Sequence, residues 1–392
     1  MSPQLLQKTQ NRDGGEPSPR NRPDHPVPPE PTTGSGTESP LRSIHTTSFP
    51  QILAQLHASV LVTTYQAGKL VLLRNDEGVL NTHFRLFGKP MGLAVRGGKL
   101  AIGTTASIQE FHSMPAVAPK IEPAGKHDVA WLPRRENVTG DVQIHEMAWV
   151  EDELWFGNTA FSCLAVRSNH YSFEPRWRPP FVSQLAPGDR CHLNGLAVVD
   201  GRVRYVTALG ETDTPGGWRA NKRDGGVLID VDSGEIVARG LSMPHSPRWY
   251  DGKLWILNSG SGGFGTIDLS SGRYEEIAQF PGFTRGLSFL GPLAFIGLSQ
   301  VRESAVFSGI PLVDRVEERT CGVWVLDVRT GETVAFVKFE EAVQEIFAVE
   351  VLPGMRFPDL VNDNADLISS SYVLPEDALA EVPGELRSGP RA

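Results

Sequence analysis

A single phrase is written six times along this chain. "MGLAVRGGKLAIGT", "HEMAWVEDELWFGN", "NGLAVVDGRVRYVTAL", "HSPRWYDGKLWILN", "RGLSFLGPLAFIGL" and "EIFAVEVLPG" each open an apolar run that leads into a Gly- or Asp-containing turn. Run, turn and second run make a β-hairpin. With Leu93, Met147, Leu196, Pro247, Leu287 and Phe347 aligned, successive copies lie 40 to 60 residues apart. That is the period of a propeller blade. A second repeat, "IDVDSGEIV" (229–237), "IDLSSGRYE" (267–275) and "LDVRTGETV" (326–334), reads as strand, Ser/Thr-Gly turn, strand. These are the expected outer hairpins of three blades.

The last copy has no partner strands after it. Three strands stand unclaimed at the front: "SVLVTTY" (59–65), "KLVLLR" (69–74) and "LNTHFRLF" (80–87). They are expected to complete the blade that the C-terminal copy begins, closing the ring with ordinary ladder hydrogen bonds. The reading is an all-β, six-bladed β-propeller of four-stranded blades. A sandwich, or two smaller β domains, is the competing arrangement.

Composition fits and narrows this. The chain has 392 residues, 40% hydrophobic, with 40 Gly and 30 Pro, enough for a large, turn-rich core. A net charge of -9 argues against a nucleic-acid backbone as main partner. Cys163, Cys191 and Cys321 show no CxxC spacing, so neither a disulfide framework nor a thiolate zinc site is expected. Residues 1–44 are rich in Pro, Gly, Ser and charge and are expected to be a disordered tail, with a single propeller domain over 45–375 and a loosely ordered end over 376–392. No basic stretch precedes an apolar run at the start, and no apolar run reaches the roughly 18 residues of a membrane span. A soluble, cytoplasmic protein with no membrane partner is the expectation.

The residues that start the inner strands surround a propeller's axis. Two positions before each aligned residue stand Met91, His145, Asn194, His245, Arg285 and Glu345. The repeat accounts for its apolar positions but not for this polar set. Imidazoles with carboxylate or amide oxygens suit a divalent ion: zinc or iron for a nitrogen-rich set, calcium for oxygen alone. His145, Asn194, His245 and Glu345 are therefore the candidate metal ligands, with His192 as an alternative fourth. Arg285 stays protonated and is expected to clamp a substrate carboxylate or phosphate, or to pair with Glu345. His192 or Glu146 is the candidate proton carrier. A polar plug of the channel, held by hydrogen bonds and water, is a second reading of the same residues. A metal-free ligand pocket is a third.

Two long interruptions, "GETDTPGGWRANKRDGG" (210–226) and "SQVRESAVFSGIPLVDRVEER" (299–319), fall between second and third strands, over the channel mouth. Long loops in a compact domain are commonly binding loops or lids. Glu211, Asp213, Trp218, Arg219, Gln300, Arg302 and Glu303 are the candidates to reach inward toward a substrate, or toward a protein partner docked on that face. Cys191, beside His192, points to the opposite side of an extended chain and is read as structural.

The strings "LVTTYQAGKLVLLR", "NTHFRLFGKPMGLA", "RCHLNGLA", "RYVTALGETDT", "GLSMPHSPRWYDGKLW" and "LSQVRESAVFSGIP" resemble a bacterial family of conserved hypothetical proteins of unknown function, over about residues 48–360. That resemblance implies a fold and no activity. In layout the chain is more loosely similar to gluconolactonase-like propellers, which implies oxygen ligands at Asn194 and Glu345. It is similar also to peptidyl-amidoglycolate lyases, which implies a zinc held by His145, His245 and His192 with Arg285 nearby. The expected function is a metal-dependent hydrolase or lyase acting on a small or peptidyl substrate at the axial channel. The alternative is a propeller that binds a ligand or protein without turnover.

Overall fold

Successive strands alternate their side chains between two neighbours, which is why they read as almost continuous apolar runs. Val60, Val62, Val71 and Leu73 pack toward one neighbouring blade, while Leu61, Leu70 and Leu72 pack toward the other. Val206 and Ile229 likewise face away from Tyr205 and Leu228. A period of two with both faces covered means a sheet sandwiched between sheets. The structure, a computed structural model describing residues 41–301, 308–384 and 387, arranges six such sheets in a ring.

Blade II comprises Leu93–Arg96, Lys99–Gly103, Ser107–Ser113 and Val129–Val138. Blade III comprises Ile144–Val150, Glu153–Asn158, Cys163–Val166 and Glu174–Trp177. Blade IV follows with Leu193–Val199, Arg202–Ala208, Gly226–Asp230 and Ile236–Leu241, and blade V with Pro244–Tyr250, Lys253–Asn258, Gly263–Asp268 and Arg273–Gln279. Blade VI has Phe283–Leu290, Leu293–Ser299, Cys321–Asp327 and Glu332–Phe339. Blade I closes the ring as expected: its inner strand, Ala348–Pro353, pairs antiparallel with Ala58–Thr64, with Thr63 opposite Ala348 and Ala58 opposite Pro353. Lys69–Asp76 and Val79–Leu86 complete it. Each inner strand touches the next around the axis, and the last touches the first.

The recurrent glycine of the six-fold phrase now has a physical cause. A Cβ at Gly92 would lie 2.0 Å from the His145 carbonyl oxygen, and one at Gly195 would lie 2.4 Å from Pro247 Cδ. Both glycines let one inner strand approach the next more closely than any side chain allows. Hydroxyls pin the same joints. Thr63, Thr159 and Ser299, near the ends of second strands, donate to the carbonyls of Met91, Leu193 and Ile346 in the following blade.

Two short strands extend the ring outward. Ser43–His45 pairs antiparallel with Glu332–Phe339, and Pro358–Leu360 lies parallel to Val129–Val138. The second is clasped by ions: buried Asp359 accepts from Arg85 and lies 3.3 Å from His83 Nε2, and Arg74 donates to the Pro358 carbonyl. Burial alone would push the Asp359 carboxyl up, but His83 and Arg85 hold it well below the usual carboxylate range. The three cysteines are buried and unpaired; burial pushes the Cys163 and Cys191 thiols up to about 12, as expected of inert core residues. Among the described residues no helix is long and apolar enough to cross a membrane.

Candidate functional site

All six inner strands start at the same end of the axis, and the loops around those starts enclose a chamber of about 380 Å³. Its lining divides by blade. Tyr65, Lys89, Met91, Arg285 and Glu345 come from the blade VI, I and II side; His145, Asp189, His192, Trp218, Arg219, Met243 and His245 come from the blade III, IV and V side. Met91, His145, His245, Arg285 and Glu345 are brought together there, as the inner-strand alignment leads one to expect.

His145 and His245 are built alike. The residue two before each, Gln143 at φ 53° and Met243 at φ 45°, occupies the left-handed region. Each turns its carbonyl onto the following imidazole, which donates from Nδ1 over 2.9 Å in both cases. A hydroxyl fourteen residues on, Thr159 or Ser259, faces the same nitrogen at 2.8 and 3.1 Å. Nδ1 therefore carries the proton, and Nε2 keeps its lone pair. Burial, with His192 and Arg285 nearby, holds the His145 pKa well below the ordinary value. Burial, then Arg285 and His192, does the same for His245. Both rings are neutral at physiological pH.

His192 stands between them in a different setting. Its Nδ1 lies 2.9 and 3.0 Å from the two carboxylate oxygens of Asp189. Asp189, only 7% exposed, is in turn fixed by Trp218 Nε1 at 3.0 Å and Arg219 Nη2 at 3.3 Å. The His192 ring packs 4.9 Å from His145 and 4.5 Å from Trp218, centroid to centroid. Asp189 at φ 50° and His192 at φ 51° are both in the left-handed region, a conformation that costs non-glycine residues about 1–3 kcal/mol each. A carboxylate that orients an imidazole and is itself held by two donors is the geometry of an acid–base dyad.

Arg285 lies over the Phe347 ring, with Cζ 3.6 Å from its centroid, and the His145 ring packs 4.9 Å from the same ring. Burial pushes its pKa down to about 10, with Glu345 opposing the shift, so it remains a cation. Among the described residues it makes no hydrogen bond and no ion pair; the expected contact pair with Glu345 does not form. A guanidinium lining a partly enclosed cavity, with its donors uncommitted, is a receptor for an oxyanion.

Several expected residues lie elsewhere. Asn194 is removed from the lining because its amide is committed on both sides: it donates to the Pro244 carbonyl at 3.0 Å and accepts from Thr207 at 2.6 Å. Asn194 holds the same strand register as His145, but His192, at φ 51°, is the blade IV residue that lines the chamber. Glu146 does not line the chamber but pairs with Arg248 in the channel below it, where burial pushes Glu350 up to about 7 against the pull of Arg248. Glu211 pairs with Arg239, and Asp213 caps the Ser183 amide beside Arg190, both away from the lining. Gln300 lines a separate surface cleft with Glu317 and Arg319. Trp218 and Arg219 reach inward as expected, and Arg302 and Glu303 lie outside the described residues. Asp189, Lys89 and Tyr65 were not anticipated. Only the Asp-x-x-His spacing of "GDRCH" signalled any of them.

Pinning Nδ1 to a carbonyl or carboxylate, so that Nε2 is left free, is how metal-binding histidines are oriented. Yet among the described residues no group of three or more His, Cys, Asp or Glu side chains is gathered closely enough to hold an ion.

The family described as "Domain of unknown function (DUF4915)" matches residues 47–361. No curated protein matches. Solved structures that match include a nidogen/laminin complex, with 10% identity, a TM-score of 0.49, and coverage of 76% of this chain and 99% of that one. A protein of unknown function from Bacteroides caccae follows, with 10% identity, a TM-score of 0.47, and coverage of 75% and 98%. A virginiamycin B lyase from Staphylococcus aureus has 11% identity, a TM-score of 0.36, and coverage of 71% and 78%. Likeness at this distance transfers no residue role.

Proposed function

The chain belongs to the DUF4915 family, and we propose that it is an enzyme of lyase or hydrolase type acting on a small anionic substrate in the axial chamber. The observation that carries this is that one chamber is lined both by a guanidinium, Arg285, with no hydrogen bond or ion pair among the described residues, and by an imidazole, His192, oriented by a buried carboxylate. Arg285 holds the anionic group and stabilises negative charge that develops beside it. His192 Nε2 takes a proton, from a carbon next to the bound group in an elimination or from water in a hydrolysis, and returns it to the leaving group. Asp189 keeps the His192 tautomer that leaves Nε2 free. His145 and His245, neutral and fixed, line the same chamber as hydrogen-bond acceptors.

The test is a thermal-shift screen of small carboxylates and phosphates, with turnover of each hit followed by NMR. Hits are expected to be lost in Arg285→Met, while His192→Ala binds them without turnover. Stabilisation retained in Arg285→Met would refute the reading. Turnover unaffected by His192→Ala would refute the catalytic part and leave a ligand-binding propeller.

A second reading keeps a transition metal in the chamber, because the pinned Nδ1 atoms of His145, His192 and His245 leave each Nε2 lone pair free, although the three side chains as they stand are not gathered closely enough to share one ion. Elemental analysis of wild type beside His145→Ala/His245→Ala decides it. About one equivalent of metal, lost in the folded double variant, supports this reading, and its absence after reconstitution removes it.

A further inference from the structure

Among the described residues two cations of the chamber have no carboxylate partner, and their backing rings are neighbours. Arg285 is the deeper. Lys89, exposed at the rim, makes no ion pair or hydrogen bond among the described residues and places Nζ 5.7 Å from the Tyr65 ring centroid. Tyr65 and Phe347, the rings behind Lys89 and Arg285, are themselves 6.2 Å apart. Each cation is thus backed by one ring of an aromatic pair. An aromatic face stabilises a cation without neutralising it and leaves its donors for something else. The chamber's third cation, Arg219, differs: it lies over Trp218, but it is spent on Asp189. Glu345 borders the chamber without an ion pair to either free cation.

Resting on the reading of the chamber as an anion site, we infer that Arg285, Lys89 and Tyr65 form a subsite for a doubly charged phosphate group, so that the substrate is a small phosphate monoester. A single carboxylate is satisfied by the fork of one arginine and leaves Lys89 without a role. A phosphate has three terminal oxygens and, at pH 7, close to two charges. The guanidinium fork spans two oxygens, the ammonium reaches the third as a point charge, and the Tyr65 hydroxyl donates from the side. Lys89 then sets the preference for a dianion over a monoanion.

The experiment is calorimetric titration of the full chain at pH 8 with inorganic phosphate, acetate and malonate. Wild type is expected to bind phosphate saturably and more tightly than acetate or malonate. Lys89→Met, an exposed substitution that leaves the fold intact, should weaken phosphate about tenfold and change acetate by less than about twofold. Arg285→Met should abolish both, with its melting temperature reporting that it is folded. Phosphate binding unchanged in Lys89→Met, with both anions lost in Arg285→Met, would overturn the subsite and leave the anion reading standing. Malonate bound more tightly than phosphate would overturn it in favour of a dicarboxylate. Both anions bound normally by Arg285→Met, or neither bound by wild type, would overturn both.

Discussion

Gln143 and Met243 adopt a backbone conformation that their side chains disfavour, and each spends it on aiming one carbonyl at one imidazole. A core histidine that only fills space does not need such aim. The arrangement selects the Nδ1–H tautomer and, with burial, keeps the ring from protonating. In a spectrum of ¹⁵N-histidine-labelled protein, His145 and His245 are therefore expected to show the Nδ1–H tautomer from pH 8 down to pH 5.5 with no titration step. A midpoint near 6.5 for either would contradict the account of its environment. Asp189→Asn is expected to weaken the selection of the same tautomer at His192, because an amide can present either a donor or an acceptor to Nδ1.

At the scale of the strand, the joints between inner strands decide both stability and chamber geometry. Gly92→Ala would drive a methyl group against the His145 carbonyl, which belongs to backbone and cannot swing aside. A loss of about 3 kcal/mol or more is expected from chemical denaturation, at or beyond the upper end for overpacking. A loss below about 1 kcal/mol would mean that the strands are less closely set. Much of this level was legible in the sequence, because the apolar run and turn recur along the chain and the glycine stands in three of the six copies, at Gly92, Gly195 and Gly286. The inner-strand alignment found His145, His245, Arg285 and Glu345 for the same reason. It misplaced Asn194 because alignment shows position and not commitment: the amide is taken up by the Pro244 carbonyl and Thr207, while His192, two residues earlier, lines the chamber. Lys89, Tyr65 and Asp189 were hidden for another reason: they sit in loops of unequal length, where alignment between blades carries no register. Glu211 and Asp213 look like binding residues in sequence, but Arg239 and Arg190 occupy them.

Across the whole molecule, closure and acid response are linked. The ring is closed by the C-terminal strand of blade I, and the segment that follows is clasped through Asp359. His145, His245 and His127 have depressed values in the fold, chiefly from burial. The unfolded chain binds their protons near pH 6.5 and the folded chain does not, so stability is complete above that pH and falls below it. Each contributes a slope of at most about 1.4 kcal/mol per pH unit. The depressed carboxyl of Asp359 adds a second loss, which begins as pH falls through about 4, where the unfolded group takes its proton. Chemical denaturation from pH 7.5 to 5 is expected to show the first loss, and His145→Asn/His245→Asn to flatten it. An unchanged slope in that variant would contradict the assignment. The account as a whole rests on an anion held by Arg285 within reach of His192. The measurement that tests it most directly is the His192 ring resonance during titration with phosphate, assigned by comparison with His192→Gln. The account predicts a saturable shift in wild type that is absent in folded Arg285→Met; a His192 signal that ignores the anion, or responds equally in both proteins, would contradict it.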